Sequence, residues 1–312
     1  MRIALVLVPM SDENLRLASQ VGVDDVVARY PGLNYDELAA LRDRVEGLGM
    51  RLSVVEGFVP MDRIKAGRPD RDDQIEQIQT LIRNMGRAGV SVLCYNFMAG
   101  SDWSRTSFTI PDRGGAWVSG FDADLADQLP IDDVGPITEG ELWEHLAYFL
   151  ERVVPVAEEA GVNLALHPDD PPMSPLRGVP RIIRDVAAFE RVVDLVPSPA
   201  NGIGFCQGCF LEMGVDLPDT IRRLAEHIHY VHFRDVTGTI PRFRETFHDN
   251  GPTDMLEAMR TYKQIGYAGP MRPDHVPQLE GESTGEPGYT MLGRLWAVGY
   301  MRGLIQAVNQ GE

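Results

Sequence analysis

Four side chains in this sequence combine metal-binding chemistry with a shared position. His167 follows the run NLAL in NLALHP (163–168), Cys206 closes NGIGFC (201–206), His232 lies near the end of IHYVHFR (228–234), and Asp274 closes GPMRPD (269–274). Each run is short, apolar and rich in β-formers, so each reads as a strand. Two imidazoles, a thiolate and a carboxylate suit a divalent transition ion, with Mn²⁺, Fe²⁺, Co²⁺, Ni²⁺ and Zn²⁺ all compatible. Any one of these residues alone is ordinarily a satisfied polar group, a small buried hydrophobe or a turn residue. Their convergence on the same end of consecutive strands points instead to a metal site.

Residues around the four extend the chemistry. Side chains alternate faces along a strand, so Tyr230 and Arg234 share the face of His232, and Gly202 and Gly204 share that of Cys206. Arg234 could then hold a carboxylate in a bidentate fork beside the ion. HPDDPP (167–172) reads either as a rigid proline turn or as a frame from which Asp169 or Asp170 orients His167. Cys206 and Cys209 form C-x-x-C, but no second such pair exists, so Cys209 is assigned a structural role. His145, His227, His229 and His248 are expected to be ordinary polar residues of the fold.

Eight strand candidates carry these residues: 2–8, 24–29, 51–57, 91–97, 163–168, 201–206, 228–234 and 269–274. Helix-period runs lie between them at 12–21, 35–48, 71–88, 139–160, 180–195, 217–227, 254–265 and 289–309. Gly22, Gly49, Gly89, Gly161 and Gly266 stand where five of these helices should stop. The alternation predicts one (β/α)₈ TIM-barrel catalytic domain over residues 1–312. A doubly wound open sheet is the second choice, but its glycine-rich phosphate turn is missing from VPMSDEN after the first strand. Two connections, 98–137 and 235–253, are too long for simple turns. They follow strands four and seven, which in a barrel puts them on the catalytic face.

Composition narrows the partners. The 312 residues include 46 acidic and 29 basic ones, a net charge of −17, which disfavours nucleic acid and anionic membranes. Three cysteines do not make a disulfide framework, and MRIALVLVPMSDE is too short in its apolar core for a signal peptide. A cytoplasmic location follows as an expectation, and self-association into a homo-oligomer is compatible with the sequence.

The motifs together resemble the mannonate dehydratases of hexuronate catabolism, members of the xylose-isomerase-like barrel group. CYNFM (94–98), DWSRT (102–106), HPDDPP, HFRDV (232–236), FRETFHDNGPTDM (243–255), RPDH (272–275) and PGYTMLGRLWAVGYMRGL (287–304) carry the likeness, in order, from about residue 90 onward. The resemblance implies a Mn²⁺-dependent lyase that dehydrates D-mannonate to 2-keto-3-deoxy-D-gluconate. It places metal ligands at His167, Cys206, His232 and Asp274, and catalytic roles at His275, Tyr289 and Arg234. Asn96, Arg105, Tyr230 and Arg234 are the expected substrate contacts. Departures lie in QGCFLEMG (207–214), where the family usually has a Thr-Gly-Ser-Leu-Gly-like stretch, and in Val276, where a glycine usually follows RPDH.

Removing the C2 proton of an aldonate and expelling its C3 hydroxyl needs charge stabilisation, a base and an acid. Tyr289 and His275, placed on opposite sides of the substrate, are assigned the two proton transfers, in either order. A basic Tyr289 would need the ion or Arg234 to lower its pKa. A metal-dependent isomerase or epimerase of the same barrel group, a DNA phosphodiesterase, and an inactive metal- and sugar-acid-binding relative are the alternatives. The phosphodiesterase fits poorly with the charge and with seven histidines.

Overall fold

The apolar runs pair into a closed parallel barrel. Its strands are β1 (Arg2–Val6), β2 (Asp25–Ala28), β3 (Arg51–Glu56), β4 (Val92–Tyr95), β7 (Asn163–Leu166), β8 (Asn201–Cys206), β9 (Ile228–Phe233) and β12 (Pro270–Pro273). The ring closes in the order β1-β12-β9-β8-β7-β4-β3-β2. All eight expected strands are present in it, and the barrel displaces the open-sheet alternative. The computed structural model describes residues 1–282 and 286–310, so residues 283–285 of ESTGEPG lie outside the described residues.

Alternation along the strands separates two apolar layers. Ala4, Val6, Val27, Val54, Val92, Cys94, Ala165 and Tyr230 fill the barrel's inside. Their sequence neighbours, such as Leu5, Val26, Val55, Leu93, Leu164 and Val231, pack outward against the helices. The outer ring is built from α1 (Asp12–Gln20), α2 (Tyr35–Glu46), α3 (Asp62–Lys65), α4 (Arg71–Ala88), α5 (Glu139–Ala160), α6 (Val186–Leu195), α7 (Gln207–Glu212), α8 (Leu217–Arg223), α9 (Met255–Gln264) and α10 (Met291–Gln310). Gly89 and Gly161 end α4 and α5 with φ of 73° and 67°, a conformation that costs other residues a Cβ clash. At the other end of α5, Thr138 and Glu141 form a reciprocal capping box.

Three details depart from expectation. The helix expected over 180–195 begins only at Val186, where Asp185 accepts a hydrogen bond from Ala188 N at 2.8 Å and caps it. The one expected over 217–227 ends at Arg223 and continues as a single 3₁₀ turn, Ala225–His227. The long connections are not irregular: they contain β5 (Ser107–Pro111), β6 (Trp117–Asp122), β10 (Val236–Thr239) and β11 (Arg242–Glu245). These form a separate antiparallel sheet in the order β10-β11-β6-β5. Phe121 and Phe243, paired across it, pack with Leu129, Leu176 and Val236 into a third apolar cluster. Among the described residues no helix is long and apolar enough to cross a membrane.

Candidate active site

A cavity opens where the barrel strands end. The side of it formed by β7, β9 and β12 carries His167, His232, Arg272 and Asp274. Tyr289 and His275 follow from the chain after β12, and Lys65, Asn96, Asp102 and Trp103 line it from the loops after β3 and β4. The ligand atoms of His167, Cys206 and His232 all lie within 4.8 Å of one another. Asp274 Oδ2 joins them, 3.5 Å from His232 Nδ1 and 4.0 Å from Cys206 Sγ. The structure thus brings together the four residues singled out by strand position.

These donors fit a divalent cation. His167 Nδ1 lies 2.7 Å from the Pro168 carbonyl, which can only accept, so the proton sits there and the Nε2 lone pair is free. That Nε2 is 3.1 Å from His232 Nδ1, a close approach of two ring nitrogens that a shared cation relieves. Burial opposes ionisation of Cys206, yet a hydrogen bond from Cys209 and the nearby Arg234 and His167 hold its thiol well below the usual range. Burial likewise opposes the Asp274 carboxylate, but the charge of Arg272 and a hydrogen bond with His232 outweigh it and keep it ionised. Two other clusters, Glu56–Cys94–His232 and Asp170–Cys209–Glu212, have the right residue types. Both are already served by cations: Arg272 bonds both oxygens of Glu56 at 2.6 and 2.9 Å, and Arg105 and Arg234 hold Asp170. The difference is one of saturation: Arg272 takes both oxygens of Glu56 but only Oδ1 of Asp274, which leaves Oδ2 on the side of His232 and Cys206.

Tyr289 donates to Asp274 Oδ1 at 3.1 Å, which leaves its ring facing the cavity. Burial pushes its phenol above the ordinary value and Asp274 adds to this, against the opposing charges of Arg272 and Arg29. His275 occupies a left-handed backbone conformation with φ of 44°, which costs a non-glycine residue about 1–2 kcal/mol. Its ring stands edge-on to Trp103 at 4.6 Å. Burial, reinforced by Arg105 and Arg234 and opposed by Asp274, lowers its pKa to about 3, so the ring is neutral. The two rings are 5.6 Å apart and inclined at 55° to each other.

The substrate contacts expected on β9 lie elsewhere. Tyr230 points into the barrel below the cavity and donates to Glu56 Oε2 at 2.9 Å. Arg234 is fully buried, and its fork is engaged by protein acceptors. Nη1 meets Glu245 at 2.6 Å, Nη2 meets Glu212 at 2.9 Å and Asp170 at 3.1 Å, and Nε meets Cys206 Sγ at 3.4 Å. Arg105 is buried beside it, paired with Asp170 and, at 2.6 Å, with Glu245. Buried among the carboxyl groups of Asp170, Glu212, Glu245 and, at 3.5 Å, Asp274, and between two sulfurs, the Arg234 guanidinium is engaged by the protein and not by a substrate. Gly208 allows the approach, since a Cβ there would lie 2.3 Å from the Arg234 guanidinium carbon.

HPDDPP also works differently from the expected frame. Asp169 accepts from Ile183 N at 2.8 Å and Asp170 pairs with the two arginines, while a backbone carbonyl orients His167. Cys209 accepts from Arg234 Nη2 at 3.3 Å, within this buried cluster. His145 and His229 satisfy a ring nitrogen on the carbonyls of Lys65 and Leu164. Of the expected substrate contacts, Asn96 does line the cavity. Glu56, Arg272, Arg29, Lys65 and Trp103 line it too and were not singled out from sequence. Arg272 carried a signal, lying two residues before Asp274 on one strand face, as did Glu56 at the end of β3.

The model of the D-mannonate dehydratase (UxuA) family matches residues 13–135 and 128–312. Mannonate dehydratase 2 of Halalkalibacterium halodurans is 34% identical over 303 residues, which are 88% of this chain and 87% of that one. The crystal structure of mannonate dehydratase from Streptococcus suis serotype 2 superposes with a TM-score of 0.92 at 31% identity, covering 99% of this chain and 95% of that one. An L-ribulose 3-epimerase structure superposes at a TM-score of 0.67 with 16% identity, over 99% of this chain and 96% of that one, a likeness of fold alone.

Proposed function

The chain belongs to the D-mannonate dehydratase family and is a hydro-lyase; on that premise we propose that it dehydrates D-mannonate to 2-keto-3-deoxy-D-gluconate with Mn²⁺ as its ion. The observation that carries the reading is that His167, Cys206, His232 and Asp274 meet at one side of a cavity that Tyr289 and His275 also line. A divalent ion held by the four supplies Lewis-acid stabilisation for the negative charge that forms when the proton next to the carboxylate is removed.

The chain's own groups supply the proton transfers. We assign uptake of the C2 proton to a ring nitrogen of His275 and donation to the departing C3 hydroxyl to the Tyr289 phenol. The C2–H and C3–O bonds break, water leaves, and the enol that remains becomes the 2-keto acid. Return of the proton from His275 to the Tyr289 oxygen resets the pair. Arg234 acts from behind, its Nε holding the Cys206 sulfur as thiolate.

The test is a panel of C5 and C6 aldonates offered to Mn²⁺-loaded protein and scored for 2-keto-3-deoxy acid. D-mannonate should give the fastest release. A product that keeps its C3 hydroxyl would mark an isomerase or epimerase instead.

A further inference from the structure

With Arg234 committed to the protein, the side-chain cations open to an acid substrate are those that line the cavity. Three cationic side chains line it: Arg29, Lys65 and Arg272. Arg272 is held by Glu56 at 2.6 and 2.9 Å and by Asp274 at 2.5 Å. Arg29 lies 3.6 Å from Glu56 and 3.8 Å from Glu286, with its guanidinium over the Tyr289 ring at 5.0 Å. Lys65 differs. Its ammonium donates to the neutral Asn96 Oδ1 at 2.7 Å, and no carboxylate among the described residues pairs with it. Asp102, the nearest acidic neighbour, spends Oδ1 on Asn96 Nδ2 at 3.0 Å and on Trp103 N at 2.9 Å.

The ammonium is also fixed in place. Asn96 is pinned by three contacts, to Lys65, to Met98 N at 3.1 Å and to Asp102. The backbone of α3 is pinned by Gln74, whose Oε1 accepts from Arg63 N and Ile64 N at 3.0 and 3.2 Å, while the Lys65 carbonyl holds His145. A lysine tied at both ends, with two of its three donors left over, is preorganised for an anion. An ammonium removed from water without a counter-charge is costly, and an incoming carboxylate removes that cost. Burial lowers its pKa to about 8, with Asp102 pulling the other way, so it is charged at neutral pH.

We propose that Lys65 grips the carboxylate of the substrate and so sets the preference of this cavity for acids over neutral sugars. The proposal rests on the sugar-acid reading above. Isothermal titration of the Mn²⁺-loaded protein tests it with two probes, a 3-deoxy-hexonate, which has no C3 hydroxyl to expel, and the corresponding neutral 3-deoxy-hexitol. Lys65→Met should raise the Kd of the acid by about 10–100-fold, the weight of a charged hydrogen bond, and leave that of the hexitol within about twofold. Lys65→Arg should recover part of the acid affinity, and serves as the folded comparison if the methionine variant is unstable. Equal loss for both probes, or loss for neither, would overturn the proposal while the sugar-acid reading stood. Failure of the wild-type protein to bind the hexonate would remove that reading and the proposal with it.

Discussion

The cavity wall and the ion cluster directly behind it use the same kinds of residue for opposite ends. On the wall, His167, Cys206, His232 and Asp274 face one another across short gaps with donor atoms to spare. Behind it, Asp170, Glu212 and Glu245 surround Arg105 and Arg234, and every one of these five side chains is buried. The first group keeps lone pairs for a guest; the second is already engaged with the two guanidinium groups it surrounds. What separates them is how far internal cations saturate each group: Arg272 takes only Oδ1 of Asp274, whereas Arg105 and Arg234 take both oxygens of Asp170. A buried network of this kind does little for stability over an apolar core, but removing one member is expensive because it strands its partners.

Three substitutions sharpen this contrast. Tyr289→Phe removes one oxygen from the wall and keeps the ring, so turnover of D-mannonate should fall by about 10²–10⁴-fold while metal content and melting temperature stay near wild type. Wild-type turnover in that variant would leave His275 as the only proton-transfer group on the wall. Arg234→Met instead strikes the cluster. It should cost about 3–5 kcal/mol in urea unfolding, since Asp170 and Glu245 lose a buried counter-charge. A stable variant with only a raised KM would return Arg234 to the substrate. Glu212→Gln should be the mildest, below about 1 kcal/mol by the same unfolding measurement. Burial and the neighbouring Asp170 push the Glu212 carboxyl well above its ordinary range, so the acid is held neutral and an amide replaces it in kind. A large loss there would mean that Glu212 carries charge as one of Arg234's counter-ions.

The proposed ligand set was legible because each member is local to a strand end. A period of two along β8 and β9 is enough to put Gly204 with Cys206 and Tyr230 with His232 on the inner face. Arg234 shared that pattern, yet its role depends on partners 64, 22 and 11 positions away in Asp170, Glu212 and Glu245. Nothing local announces them. The antiparallel side sheet was missed for a similar reason. Its central pairing joins Arg242–Arg244 to Gly120–Asp122, and the strands themselves are short and half polar. Short α3, which presents Lys65, has too few residues for a 3.6-period signal.

The contrast between open wall and closed cluster is tested most directly on the C-x-x-C pair, where one cysteine belongs to each region. Metal content per chain, measured by mass spectrometry after loading with Mn²⁺ and desalting, should be about one for the wild-type protein and should collapse in Cys206→Ala. Cys209→Ala should keep its ion, because Cys209 Sγ faces Arg234 at 3.3 Å within the cluster of buried charges. Full retention by Cys206→Ala together with loss in Cys209→Ala would contradict the account, and would move the metal site from the wall into the cluster.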